Sequence, residues 1–172
     1  MPPAAPSPTA PAPASSGLGA AVKRRLQHSN ALEAYEVRAS LERDAARYAA
    51  TRRTDADLEQ IRDALAMREM AWDVSGGDDV SAFVEADIKF HQAVALAAGN
   101  SVLAELYDQF SASLRMTLRS VVGAPLPEAV RRQTAEHTAI VRAIENGDAQ
   151  AAEEAALAHL SAAMDALREL PD

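Results

Sequence analysis

Apolar and polar positions alternate with a helical period along nearly the whole chain. Asn30, with Glu33 three residues on, gives a capping-box-like start that predicts a first helix to about Arg53. Thr54 caps a second stretch, in which Leu58, Ile61, Leu65 and Met70 fall at near-helical intervals until Gly76 and Gly77 interrupt it. A third helix is expected from Asp78 or Asp79 to about Ala98, closed by Gly99 with Asn100 as the next cap. The fourth runs from about Ser101 to Val122. A turn rich in Gly and Pro follows, whose Pro127 suits a first helical position, and the fifth helix extends to Asn146. Gly147 closes it, Asp148 caps a sixth helix to about Leu170, and Pro171 prevents continuation. The fold class expected is all-α, an antiparallel bundle of about six helices, with short connections making sequential helices neighbours.

Three apolar seams are interrupted by polar residues. In the third helix positions 80, 84, 87, 91, 94 and 98 read Val, Val, Asp, His, Val, Ala, so Asp87 and His91 stand in an otherwise apolar stripe. In the fifth, Val130, Thr134, His137, Val141 and Ile144 form a stripe centred on a histidine. The sixth offers Ala152, Ala155, His159, Ala162 and Ala166, small residues around one larger side chain. The midpoints of these three helices lie near 88, 137 and 159, and midpoints of antiparallel neighbours share one level. Asp87, His91, His137 and His159 can therefore meet in one layer. A lone i, i+4 Asp and His is ordinarily a side-chain pair, and a lone seam histidine ordinarily a hydrogen-bonded core residue. Four coplanar interruptions ask for a shared cause, because burying them without partners is costly. Three imidazoles and a carboxylate suit one divalent transition metal, and Zn, Ni, Mn and Fe(II) all remain open.

Composition narrows the setting. The chain has 172 residues, enough for one domain with a core, and no cysteine, so disulfides and thiolate metal sites are excluded. Residues 1–29 are read as a Pro/Ala-rich disordered tail and linker, and residues 30–172 as the folded domain. Lys23, Arg24 and Arg25 make a short basic cluster there, read as solvated, beside an inert His28. A net charge of -8 repels a phosphate backbone, so no direct nucleic-acid binding by this chain is expected. No apolar run reaches the ~18 residues of a membrane span, and a cytoplasmic location is expected.

The stretch Tyr35, Glu36, Val37, Arg38 with Leu41 and Glu42, then Asp87, Ile88, Lys89, Phe90, His91, then Ala98, Gly99, Asn100, then His137, Ala143 to Asp148 and His159, resembles the FCD effector-binding domain of the FadR subgroup of GntR-type transcription regulators. The resemblance covers roughly residues 30 to 170. It implies a helical bundle in which an Asp, His, His, His set, here Asp87, His91, His137 and His159, binds a divalent metal that helps to hold a small organic acid. It further implies a homodimer, and an effector-binding arginine in the first helix, which falls on Arg38; a guanidinium matches a carboxylate's two oxygens. The alternative for Arg38 is a surface ion pair with Glu42 or Glu36. Arg115 is a second candidate to face the effector. Members of this family normally carry a winged-helix unit ahead of the bundle, and the residues before the first helix show neither length nor pattern for one.

The function expected is that of a metal-dependent sensor of small carboxylates in a transcription regulator, and not that of an enzyme. Two rivals stand beside it. A metal-dependent enzyme acting on a small organic acid would need a general base, and Glu85, Glu105 and Glu136 have no assigned place near the metal. A helical dimerisation module without ligand would use the histidines as a buried polar network.

Overall fold

The computed structural model describes residues 31–75, 80–121 and 127–169. They form six helices, α1 (Ala31–Arg52), α2 (Asp55–Ser75), α3 (Val80–Ala97), α4 (Ser101–Val121), α5 (Pro127–Glu145) and α6 (Ala149–Arg168), with no strand among the described residues. The all-α expectation holds. The tail over residues 1–29, the Asn30 cap, the Gly76 and Gly77 break, the start at Asp78 or Asp79, the turn at 122–126 and Pro171 lie outside the described residues.

Helix ends follow the capping chemistry read from the sequence. The Thr54 hydroxyl accepts from the Asp57 backbone N–H at 3.1 Å while the Asp57 carboxylate accepts from the Thr54 N–H at 2.8 Å, a reciprocal box at the start of α2. Asn100 caps α4 through bonds from the Val102 and Leu103 N–H groups, and Asp148 caps α6 by accepting from Ala151. Between α5 and α6, Gly147 takes φ 70°. The N–H of Asp148 bonds to the Ala143 carbonyl and that of Gly147 to Ile144, the paired bonds of a Schellman ending. A Cβ at Gly147 would meet the Ala50 carbonyl oxygen at an ordinary 3.6 Å, so an added methyl faces backbone strain rather than a clash. Gly147→Ala is accordingly expected to cost about 1 kcal/mol in urea unfolding, and a neutral result would show that the turn relaxes.

The bundle departs from the expected neighbour order at the first corner. Helix pairs α2/α3, α3/α4 and α5/α6 pack side by side as sequential hairpins, but α1 packs chiefly along α6 and α3 instead of α2. Two arginines at the end of α1 account for this. Arg52 donates to the Ala98 carbonyl at 3.3 Å, and Arg53 donates to the carbonyls of Ile144 and Glu145 at 3.4 and 2.9 Å. Cations thus sit on the carboxyl ends of α3 and α5, where carbonyls lack helical partners and the helix dipole is negative. The corner is fastened across the bundle rather than folded back on itself.

Small residues let α1 and α6 approach closely: Ala45, Ala46, Ala49 and Ala50 join Ala152 and Ala156 in one apolar cluster with Ile61, Phe90, Ile140 and Ile144. A second cluster gathers Ala34, Tyr35, Ala39, Val84, Ile88, Phe110, Leu114 and Leu160. On α1, α3 and α6 the two clusters meet partway along the helix, and around that junction stand Arg38, Glu42, Asp87, His91 and His159. A polar layer is therefore enclosed by apolar ones. One seam needs correcting. In α2 Met70 is 62% exposed and the inward position is Arg68, with no exposure at all. Leu58, Ile61, Leu65 and Arg68 make the inward series, because 61, 65 and 68 keep the four and three spacing that 70 breaks.

Candidate metal and effector site

The polar layer collects His91 from α3, His137 from α5 and His159 from α6, all buried. Each ring offers a nitrogen, and the three nitrogens lie within 4.8 Å of one another. Each Nδ1 is already engaged. His91 Nδ1 lies 2.8 Å from Glu42 Oε2, His137 Nδ1 is 2.6 Å from the Gln133 carbonyl oxygen one helical turn back, and His159 Nδ1 is 2.9 Å from Glu136 Oε2. In a neutral ring such an acceptor places the proton on Nδ1 and leaves the lone pair on Nε2. His137 Nε2 and His91 Nε2 then face each other at 3.1 Å. Burial lowers the pKa of His91 although Glu42 opposes it, and burial with the neighbouring His159 lowers that of His137 well below the usual range. Two lone pairs so close repel each other, and a cation between them would relieve the repulsion. Two nitrogens each about 2.1 Å from one ion, subtending about 90–109° at it, lie roughly 3.0–3.4 Å apart. The His91 and His137 rings therefore fit a shared transition metal in spacing and tautomer, with His159 beside them.

Asp87 stands beside these rings, with Oδ1 3.3 Å from His137 Nε2 and Oδ2 3.9 Å from His91 Nε2. The structure thus gathers the three histidines and sets Asp87 beside two of them. Asp87 is also held by two guanidiniums: Arg68 Nε donates to Oδ1 at 2.7 Å and Arg38 Nη2 to Oδ2 at 3.2 Å. Burial would raise its pKa, yet Arg68, His137, His91 and Arg38 hold it well below the carboxylate range. Arg38 itself is buried at 2% exposure and donates through Nε to Glu42 Oε1 at 2.5 Å. The pairing with Glu42 foreseen as an alternative is real, but it lies in the interior. Glu42 also accepts from the Tyr107 hydroxyl at 2.6 Å. Burial would raise the Glu42 pKa, and Arg38 and His91 depress it so strongly that it stays ionised.

A cavity of ≈ 30 Å³, room for about one water, opens against this layer and is lined in part by Tyr35, Arg38, Phe83, Asp87, Gln133 and His159. Arg38 reaches it, as expected. Arg115 does not: it forms an ion pair with Glu85 at 2.8 Å and is 35% exposed. α4 presents it to Glu85 of α3 instead. Sequence reasoning passed over Arg68, Tyr107 and Gln133, and weighed Glu136 only as a general base with no assigned place, whereas it stands behind His159. For Arg68 the signal was present as a fourth interrupted seam; for Tyr107 and Gln133 periodicity carries none that separates them from ordinary helix positions.

A helical bundle that encloses charged and imidazole side chains around an interior cavity has the make-up of a regulatory, effector-binding domain. The FCD domain matches residues 33–162, and the chain belongs to that family. Relatives are regulators rather than enzymes. It is 38% identical over 138 residues to the galactonate operon transcriptional repressor of Escherichia coli (strain K12), covering 78% of this chain and 56% of the relative. Identity to the HTH-type transcriptional regulator LutR of Bacillus subtilis (strain 168) is 38% over 135 residues, covering 77% and 59%. A putative L-lactate dehydrogenase operon regulatory protein of Escherichia coli (strain K12) is 30% identical over 130 residues, 73% of this chain and 47% of that one. The chain therefore spans about half the length of these curated relatives. The solved Streptococcus agalactiae GntR shares the fold with a TM-score of 0.64 at 24% identity, over 83% of this chain and 60% of that one. No helix among the described residues is long and apolar enough to cross a membrane.

Proposed function

We propose that this domain holds one divalent transition metal on His91, His137 and His159, with Asp87 as the fourth ligand, and binds a small organic acid beside it through Arg38. The observation that carries the reading is the pair of Nε2 atoms 3.1 Å apart in rings whose Nδ1 atoms are already committed. Glu42 and Glu136 then act as outer partners that fix the rings of His91 and His159, as carboxylates do behind metal-bound imidazoles. The metal supplies a Lewis-acidic charge in the layer. Charge balance supports an anionic effector: the Arg38 and Arg68 guanidiniums offset two of the three carboxylates of Glu42, Asp87 and Glu136, so a dication leaves the layer net positive. Two of the relatives are named for operons of galactonate and L-lactate metabolism, which supports a small hydroxylated acid as effector class. Acid binding would bias two arrangements of a homodimer in the cytoplasm and thereby change operator affinity in the regulator.

The test is metal content of the purified protein by plasma mass spectrometry, a thermal melt with and without chelator, and calorimetric titration with lactate. Near one metal per chain, a lower melting temperature after chelation and lactate binding only to the loaded protein are expected. A metal-free protein indifferent to added Zn, Ni or Mn sinks the reading. Arg38→Lys, which keeps the charge but loses the planar fork, is expected to weaken lactate by about tenfold or more with metal stoichiometry unchanged. Equal lactate affinity removes Arg38 from the site.

A further inference from the structure

Arg68 has a feature that the metal and Arg38 leave unexplained. It is fully buried, and its Nη1 has no hydrogen-bond partner among the described residues. Its other donors reach Asp87 Oδ1 at 2.7 Å and Gln133 Oε1 at 2.8 Å, and its guanidinium carbon lies 4.4 Å from the centre of the Phe83 ring. Asp87, Gln133 and Phe83 all line the cavity, so this cation stands directly behind the cavity wall. An unpaired buried donor on a charged group is costly, and its retention asks for an acceptor. The Asp87 carboxylate is meanwhile spread between two guanidiniums, Arg38 on one oxygen and Arg68 on the other. That is the position in which an incoming acid would find both cations. The cavity of ≈ 30 Å³ has room for about one water, so an acid enters only as these side chains give way.

We infer that Arg68 is a second anion-recognition group of the site, which selects acids carrying another oxygen acceptor, a hydroxyl or a second carboxylate, in addition to the carboxylate read by Arg38. This rests on the sensor reading above. Arg38 takes the first carboxylate, and Arg68 donates to the added oxygen through Nη1. Phe83 beneath the guanidinium keeps its plane fixed, so an acid without the added oxygen leaves the donor unpaired. The preference therefore comes from the penalty on the wrong acid as much as from the bond to the right one. Trp72, the chain's single tryptophan, packs edge-on against Phe83 with centroids 5.6 Å apart, and its emission reports on this wall.

The experiment is calorimetry on full-length protein loaded with the metal it retains, using two matched pairs, lactate against propionate and succinate against butyrate, with Trp72 emission followed in parallel. The wild type is expected to favour the acid with the extra oxygen by about tenfold or more in at least one pair; preference in the lactate pair assigns a hydroxyl, in the succinate pair a carboxylate. In Arg68→Gln, brought to the wild-type metal content before titration, the ratio falls to near one. Wild-type protein that binds all four acids without preference overturns the assignment of Arg68, and so does a preference that survives in Arg68→Gln. The wild-type ratio is decisive even where Arg68→Gln fails to fold, and Arg68→Lys gives a second variant with the charge retained. If no acid binds the loaded wild type, the sensor reading falls and takes this one with it.

Discussion

His137→Ala is expected to lower affinity for a divalent transition metal by more than about 100-fold, since loss of an outer-shell partner alone ordinarily costs 10–100-fold. His137 has the largest share of the geometry: its Nε2 faces His91 Nε2 at 3.1 Å and Asp87 Oδ1 at 3.3 Å, and its ring centroid is 4.2 Å from that of His159. Its removal leaves the remaining donors without the member that brings them to one point. A graded series separates ligand from support. Glu136→Gln disturbs only the acceptor behind His159 and is expected to cost less than the direct loss, within about 10–100-fold. The readouts are metal per chain after dialysis and the rise in melting temperature on adding Zn, Ni or Mn. A ligand at 100 times its dissociation constant stabilises the native state by about 2.7 kcal/mol, a shift that disappears in His137→Ala. Unchanged stoichiometry in this variant would falsify the assignment of the ring cluster as the metal centre.

Why the histidines were legible in the sequence and the arginines were not follows from what periodicity measures. A 3.6-residue period says which face of a helix turns inward, and an imidazole or carboxylate in an apolar seam stands out against it. His91, His137 and His159 were visible in that way, and helix midpoints placed them at one height. Arg68 sits in the same kind of seam, but a long cationic side chain at a helix position is ordinarily solvated, and Met70 two residues on offered an apolar substitute. Arg38 was reached through the family resemblance and not through periodicity, with a surface pair to Glu42 or Glu36 as the alternative, because the apolar face of α1 is made of alanines, which mark an inward face only weakly. The corner between α1 and α2 was hidden for a different reason. Loop length suggests a hairpin, whereas the direction taken depends on Arg52 and Arg53 finding carbonyls at the ends of α3 and α5, a fact of tertiary contact.

Glu42→Ala is expected to destabilise the metal-free protein by about 3–5 kcal/mol, the cost of removing one member of a buried charge network. Three groups lose their acceptor at once: the Nε of Arg38, the Nδ1 of His91 and the hydroxyl of Tyr107. The guanidinium matters most, because Arg38 is 2% exposed and its remaining carboxylate contact, Asp87, lies at 3.2 Å and is shared with Arg68. Glu42→Gln retains the shape and one acceptor oxygen but not the charge, and about 1–3 kcal/mol is expected. Urea unfolding in chelator isolates these effects from metal linkage, and a Glu42→Ala loss below 1 kcal/mol would mean that water replaces the carboxylate. A double change, Arg38→Met with Glu42→Leu, tests what the pair is for. Buried ion pairs often stabilise no more than apolar residues of similar volume, so the double variant is expected to regain part of the stability lost in Glu42→Ala. Its metal affinity should stay low, because His91 then has no carboxylate to fix its ring. Stability recovered without binding recovered would assign the buried pair to the site's chemistry rather than to the bundle's stability.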